Sequence, residues 1–558
     1  MSPSEIKQIL QEINIRPDAT EEASVSKAIL VLLQLVERLS RENALLKIES
    51  QQLRDEVSLL KGEQGKPHVL GKKKGGQGDV SSESERKQRE KKGARKPKRK
   101  KDQLEINRTE LCSVDPSTLP DDAVFKGYET LVVQEILIVT DHVEYKREKF
   151  YSPSEHKTYL GEVPVGVKGA FGPGLRALVC TLKHVGNMSE PKILEFLKNC
   201  GIFISQATIS RILTQDETGF NQEKEDIFRA ALGSTPYHQM DDTTVRVNGE
   251  NQYSQIFCNP YYTAFFTVPH KNRLTLLDLL LCGKERTYLF DAKALSLLSD
   301  FNVSQKVIGQ IRQWTHPPDR ERSEEEMQEL LGNLFTDAEK GKNTQTRILE
   351  AGAIAAYQRQ TEIPIIDLLL SDDAPQFKKL TPEQALCWIH EGRLYNRLSP
   401  MVPLNVERLD TFKTCFWDYY GELLKYKETP TSEKAEFLAT EFDRIFSTKT
   451  GYEALDDRIV KTRSKKEALL LVLKYPELPL HNNDSELGAR VEKRRQDVSL
   501  QTKSKEGTRA KDSFLTVTQT AKKLGVNAYS YIYDRISKKF SMPSLADLIV
   551  QNSRPQIE

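Results

Sequence analysis

Five leucines, Leu32, Leu39, Leu46, Leu53 and Leu60, follow one another at intervals of seven residues. Apolar residues at this spacing lie along one stripe of an α-helix, and a stripe of this length calls for a second helix to cover it. With the leucines at heptad position d, position a holds Ile29, Val36, Asn43, Ser50 and Val57. One asparagine at a is a device that fixes a parallel two-stranded register. Glu42, Glu49 and Glu56 fall at g, and Lys47, Arg54 and Lys61 at the following e positions, so each interhelical pair attracts in a parallel homodimer. Leu32, Leu39, Asn43, Leu46, Leu53 and Leu60 are therefore the expected dimerisation residues. The alternative is an amphipathic helix laid on a core.

The remaining chain is long enough for several domains: 558 residues, 38% of them apolar and 29% charged. The formal charge of +2 hides clustering, because residues 86–101 contain eleven Lys or Arg and one Glu. No apolar run reaches the roughly 18 residues of a membrane span. The N-terminus lacks a secretory pattern. Seven scattered cysteines without a C-x-x-C pair point to a reducing cytoplasm rather than a disulfide framework. Residues 1–61 read as a helical region with the coiled coil. Residues 62–107, rich in Gly, Lys, Ser and Glu, read as a disordered basic linker suited to phosphate contact, with solubility or targeting as the alternative.

Residues 108–168 read as a small β-rich module, with extended runs at Tyr128–Val139 and Val143–Tyr151. Residues 169–232 read as helical. Within them Pro191–Cys200 predicts a helix, Gly201 a turn, Ser205 an N-cap and Gln206–Leu213 a second helix. That is the layout of a helix-turn-helix, with Gln206, Thr208 and Arg211 facing bases; a plain helix pair in a core is the alternative.

The stretch Tyr237–Val247 carries Asp241 and ends at Asn248-Gly249, a strong hairpin signal. Return strands at Tyr253–Phe257 and Tyr262–Val268 follow. Residues 283–345 read as a helical insertion, Arg347–Gln360 as a helix and Ile363–Ser371 as a buried strand ending at Asp372. A long helical stretch, 378–480, leads to Glu486 at a helix start. The core then covers 233–504 with insertions at 283–345 and 378–480, and 505–558 forms a helical C-terminus. Singly, each acid has an ordinary reading. Asp242 suits a half-exposed strand, Asp372 and Asp373 suit a turn, and Asn483-x-x-Glu486 matches a capping box.

Together, a hairpin strand, a buried strand ending in Asp and an acidic helix start are the order of a ribonuclease-H-like core. Asp241, Asp372 and Glu486 would hold two divalent ions about 3.5–4 Å apart. One ion activates water or a 3′-hydroxyl and the other steadies the leaving oxygen. Oxygen ligands favour Mg²⁺, with Mn²⁺ as the substitute. The basic residues Arg490, Lys493, Arg494 and Arg495, then Lys503, Lys505, Arg509 and Lys511, suit a polyanion.

In these pieces the chain resembles the insertion-sequence sixty-six (TnpC) family of DDE-type transposases. They are Asp241-Asp242-Thr243, Asp372 with Phe377, Cys387-Trp388-Ile389-His390 with Arg393, Asn482-Asn483-x-x-Glu486, and Thr516–Lys522 leading to Ala528-Tyr529-Ser530-Tyr531. The resemblance favours Asp241 over Asp242 and Asp372 over Asp373 as ligands. It departs where the family has a module of paired cysteines, since only Cys112 lies there, with Tyr151 and His156 at the second pair; no zinc is expected at that place. Cys387 and His390, at i and i+3, share a helix face but show no partner pair, so a packed Cys-Trp-His cluster anchoring the insertion is preferred to a zinc site. Trp388 stacking on a base is a further reading.

The expected protein is an α+β multidomain chain: parallel coiled coil, helix-turn-helix, catalytic α/β core with large helical insertions, helical C-terminus. The expected activity is DNA transposition: binding of element-terminal repeats, two-metal cleavage and strand transfer. The expected partners are double-stranded DNA, a second copy of the chain and accessory proteins of the same element, with no membrane, in a bacterial nucleoid setting. The alternatives are a non-catalytic DNA-binding regulator derived from a transposase and a ribonuclease-H-like nuclease that does not join.

Overall fold

A computed structural model describes residues 23–60, 105–120, 122–136, 138–215, 219–318, 320–335 and 341–554. The basic run 86–101 and nearly all of the linker lie outside the described residues, as does Lys61. The described residues divide into two compact units, one of 23–60, 163–193 and 205–554, the other of 105–162 and 194–204.

The protein is mixed α/β, with a mixed five-stranded sheet and many helices. No helix among the described residues is long and apolar enough to cross a membrane. Helix α1 spans Ala23–Leu60 without interruption. The heptad leucines stand out of it, Leu32, Leu39, Leu46 and Leu53 being 61, 62, 63 and 56% exposed. Its other side meets the chain's own core: Leu33 is buried, and Glu37 Oε1 accepts from the backbone N–H of Met401 and of Val402, both at 2.8 Å. The helix is thus docked on one face, as the alternative reading has it, beside an exposed leucine stripe.

The small unit is less ordered than its sequence suggests. A hairpin forms from β1 (Lys149–Ser152) and β2 (Lys157–Leu160). The run Tyr128–Val139, expected as a strand, forms no strand among the described residues and leaves Leu131, Ile136 and Val139 exposed. β-branched residues favour a pleated surface only when another strand supplies it.

Next come α2 (Pro173–His184), α3 (Glu190–Asn199), α4 (Gln206–Thr214) and α5 (Phe220–Leu232). Ser205 caps α4 as expected, its hydroxyl accepting from Thr208 N at 3.2 Å, and Gly201 takes a positive φ of 80°. β3 (Tyr237–Val247) turns through Asn248 and Gly249, both at positive φ, into β4 (Glu250–Asn259), and β5 (Tyr262–Val268) continues the meander. Positive φ at both turn residues is what a tight hairpin of this twist requires.

Helices α6 (Arg273–Leu280), α7 (Ala292–Asp300), α8 (Gln305–Trp314), α9 (Glu324–Leu334) and α10 (Lys342–Arg359) then lead to β6 (Leu368–Ser371). The strand is shorter than Ile363–Ser371: Pro364 has no N–H for a ladder, and the Ile366 N–H donates to the Tyr357 hydroxyl at 3.0 Å. β7 (Glu383–Leu386) follows within a stretch expected to be wholly helical, and pairs parallel with β6. Its Glu-Gln-Ala-Leu sequence has no strand signature; the edge of a buried strand recruits it.

The second insertion comprises α11 (Trp388–Asn396), α12 (Pro403–Glu428), α13 (Ser432–Ile445), α14 (Glu453–Arg463) and the short α15 (Lys466–Leu469) and α16 (Leu471–Lys474). The chain ends with α17 (Asn483–Ser499), α18 (Lys505–Lys523), α19 (Ala528–Ile536) and α20 (Leu545–Ser553).

The sheet order is β5-β4-β3-β6-β7, antiparallel through β5, β4 and β3 and parallel from β3 to β7. One face carries Ile256 and Phe265 against Leu515 of α18; the other carries Phe257 and Phe266 against Phe228 of α5. α18 also covers the open edge of β5. Asp512 Oδ2, Thr516 Oγ1 and Thr520 Oγ1, one turn apart, accept from the N–H groups of Thr267, Phe265 and Thr263 at 2.7, 3.1 and 3.3 Å. A helix thereby satisfies the donors that an edge strand would otherwise leave bare.

Candidate active site

β3 and β6 pair in parallel with Gln239 opposite Leu370. Continuing that register by two residues sets Asp241 level with Asp372, on the same face of neighbouring strands. In β4 the partner of Asp241 is Ile256, so both side chains project from that face. α17 lies over the same face: a Cβ on Gly488 would stand 2.8 Å from Ile256 Cγ2. Glu486, two residues earlier, is thereby carried to the two aspartates.

The electrostatics register this convergence. Burial lifts the Asp241 carboxyl to about 7, and the charges of Asp372, Asp242 and Glu486 push the same way against the N–H of Asp242. Burial likewise raises Asp372, opposed by the Ala374 N–H and by His390 and reinforced by Asp242 and Asp373. Desolvation and like charges both disfavour the ionised acid.

The neighbouring acids are engaged elsewhere. Asp242 Oδ2 accepts from Gln376 Nε2 at 2.6 Å, and its Oδ1 lies 3.5 Å from Lys271 Nζ. Asp373 binds Lys378 and Lys465, each at 2.8 Å; burial would raise its carboxyl, yet these ammonium groups hold it below the ordinary range. Among the described residues neither Asp241 nor Asp372 is tied to a lysine or arginine in this way.

Glu486 is not in a capping box. The N-cap is Asn482, whose side chain makes no capping bond. The Glu486 carboxylate instead faces Arg393 at 3.4 and 3.5 Å, His390 Nε2 at 3.7 Å and Arg490 at 3.4 Å. Cys387 is itself the N-cap of α11, one position outside the helix expected to carry it. Its Sγ, a His390 ring nitrogen and a Glu486 oxygen lie within 4.8 Å of one another. Burial depresses the His390 imidazolium, with Glu486 opposing and Arg393 assisting. Trp388 cannot meet a base: it is fully buried among Phe416, Tyr419, Phe442 and Phe446, and its Nε1 donates to Leu469 O at 2.8 Å.

Of the residues expected to contact DNA, Gln206 and Arg211 are exposed and Thr208 half-buried, with Arg211 Nη2 donating to Thr208 Oγ1 at 3.1 Å. Arg490 and Arg494 are exposed. Lys493 is exposed but donates to Thr244 O at 2.6 Å, tying α17 to β3. Arg495 departs from its expected place: it is buried and donates to Glu492 at 2.9 Å, beside a buried Lys511. A guanidinium turned inward onto a carboxylate is withdrawn from phosphate. The residues that the sequence concealed are Gln376, Lys271 and Lys465, each distant in the chain from the acid it holds, and Lys378, five residues beyond Asp373.

Over 310 residues the chain is 31% identical to a protein of Sinorhizobium fredii described as uncharacterized protein y4jO, a match spanning 56% of this chain and 94% of that protein. The chain belongs to the same family as y4jO. No family model matches it. That relative's description says nothing of chemistry, which rests on the geometry above.

Proposed function

We propose that the protein is a DDE-type DNA transposase that binds element-terminal repeats, cleaves phosphodiesters and joins the freed 3′ ends to target DNA. The observation that carries this reading is the convergence of Asp241, Asp372 and Glu486 from two parallel neighbouring strands and a helix start, with Asp241 held at about 7. The strand order, three antiparallel strands continued by two parallel ones, is that of a ribonuclease-H-like core and supports the same reading. Fold alone would not, since function resides in the site.

The residues fit hard divalent cations: oxygen donors converge, and their mutual repulsion is of the kind a cation relieves. Asp241, Asp372 and Glu486 would hold Mg²⁺, which would supply Lewis acidity for phosphodiester cleavage. Asp241 holds the central position from the sheet. Gln376 and Lys271 keep Asp242 turned away. Arg393 and His390 act as positioning residues for Glu486. Gln206, Thr208 and Arg211 on α4 meet the terminal repeats, and the leucine stripe of α1 pairs two copies in parallel.

The deciding experiment is nicking of DNA carrying the terminal repeats in Mg²⁺, wild type against Glu486→Gln. Nicked and joined products from the wild type alone support the reading. Nicks without joined products favour a nuclease. Binding without any cleavage by the wild type favours a regulator.

A further inference from the structure

Cys387 and Glu486 arrive from two helix starts that the fold locks together. Cys387 N donates to Ser371 O at 3.0 Å, Trp388 N donates to Leu480 O at 2.9 Å, and the Trp388 ring is wedged in the insertion core. Asn482, immediately before α17, is wholly buried at the same place. Neither polar atom of its carboxamide nor His390 Nδ1 has a well-formed hydrogen bond, the Asn482 side chain making only a loose polar contact with the His390 ring. Buried amide and imidazole atoms left unpaired are costly. Three such atoms beside a thiol, an imidazole and a carboxylate point to a missing ligand.

From this geometry we propose that Cys387, His390 and Glu486 bind one transition-metal ion of the Zn²⁺ class. Tetrahedral bonds of about 2.0–2.3 Å place neighbouring ligand atoms roughly 3.3–3.8 Å apart. The 3.7 Å from His390 Nε2 to Glu486 Oε1 meets that spacing, and the 4.8 Å limit on all three atoms needs only small side-chain adjustment. Sulfur with nitrogen and one oxygen selects a borderline ion over Mg²⁺. Three protein ligands leave a fourth position for water, which the Asn482 carboxamide is placed to hydrogen-bond. Arg393, one-third exposed, now lies against Glu486 and withdraws toward solvent when the ion enters. Binding releases the Cys387 thiol proton to bulk water, so the ion meets a thiolate and affinity rises with pH.

The site shares Glu486 with the carboxylate cluster. If the transposase reading holds, occupancy here takes Glu486 from Asp241 and Asp372, and the ion inhibits.

The test is titration of the full chain with Co²⁺, in a background where the exposed Cys112 and Cys415 are replaced by serine. The expected result is one equivalent bound, with a thiolate-to-cobalt charge-transfer band and the visible bands of a tetrahedral site, both erased by Zn²⁺. Cys387→Ser removes the charge-transfer band and His390→Gln weakens binding about tenfold or more. Circular dichroism checks that each variant is folded. Asp241→Asn retains the cobalt spectrum even though it abolishes the proposed nicking, which separates failure of this site from failure of the transposase reading. No tetrahedral spectrum at one equivalent, or a charge-transfer band that survives in folded Cys387→Ser, overturns the proposal.

Discussion

Gly488 lies so close to Ile256 that a Cβ there would stand 2.8 Å from the isoleucine Cγ2. Ile256 is the cross-strand partner of Asp241, so this one contact sets the height of α17 above the central acid. Gly488→Ala replaces a helical glycine with the best helix former, a change worth about 1 kcal/mol in an open helix. Here overpacking opposes it, at roughly 1–3 kcal/mol. Gly488→Ala should therefore fail to stabilise the protein in urea and should lose Mg²⁺-dependent nicking, and Ile256→Val should restore part of both. A variant more stable than wild type would show that α17 is not seated as described.

Asp241 gives the metal-free protein a characteristic pH dependence. Its carboxyl is held at about 7 in the fold, against 3.8 for the free group. Between those values the folded chain keeps a proton that the unfolded chain releases, so stability falls as pH rises through the window and levels off above it. Asp241→Asn should melt above wild type at about pH 7.5 without divalent metal, by an amount on the order of a few kcal/mol at most, and the margin should close toward pH 4. Thermal melts across that range check it. An unchanging margin would assign the difference to packing.

Glu37 serves as a cap for a helix more than three hundred residues away. Its Oε1 accepts from Met401 N and Val402 N at 2.8 Å and lies 3.3 Å from Asn405 Nδ2, at the start of α12, where Val402 offers no capping side chain. Glu37→Ala should cost about 1–2 kcal/mol, in the range of a lost cap. Amide exchange at residues 401–405 should accelerate while exchange in the sheet does not.

The leucine stripe can be separated from this docked face. Leu39→Glu with Leu46→Glu should convert a dimer into a monomer by light scattering, because charge at d positions is incompatible with a buried seam. Slow exchange at residues 401–405 should persist, since Glu37 is untouched. A wild-type chain already monomeric at tens of micromolar would remove the coiled-coil reading.

Thr516→Val removes the acceptor for Phe265 N while keeping the shape of the side chain. An unpaired buried N–H costs roughly 1–3 kcal/mol. Chemical denaturation should show a loss of that size; no loss would mean that the edge of β5 finds another partner.

Elements whose causes are local can be read from the chain alone. The heptad leucines specify a long helix, Asn248-Gly249 a tight hairpin, and Ser205 the start of α4, because each signal acts within a turn or two of chain. The three acids and their order were legible for the same reason. The rest came from contacts made on folding. β7 exists because β6 presents an edge, whereas the described part of Tyr128–Val139, with far better strand residues, joins no sheet. α17 starts at Asn483 without a side-chain cap, and Glu486 turns to His390 and Arg393. Trp388 fills a core instead of meeting a base, and Arg495 pairs inward with Glu492. Asp512, Thr516 and Thr520 become acceptors for a strand some two hundred and fifty residues away. Each outcome depends on a partner brought near only by folding, and spacing along the chain holds no record of such partners.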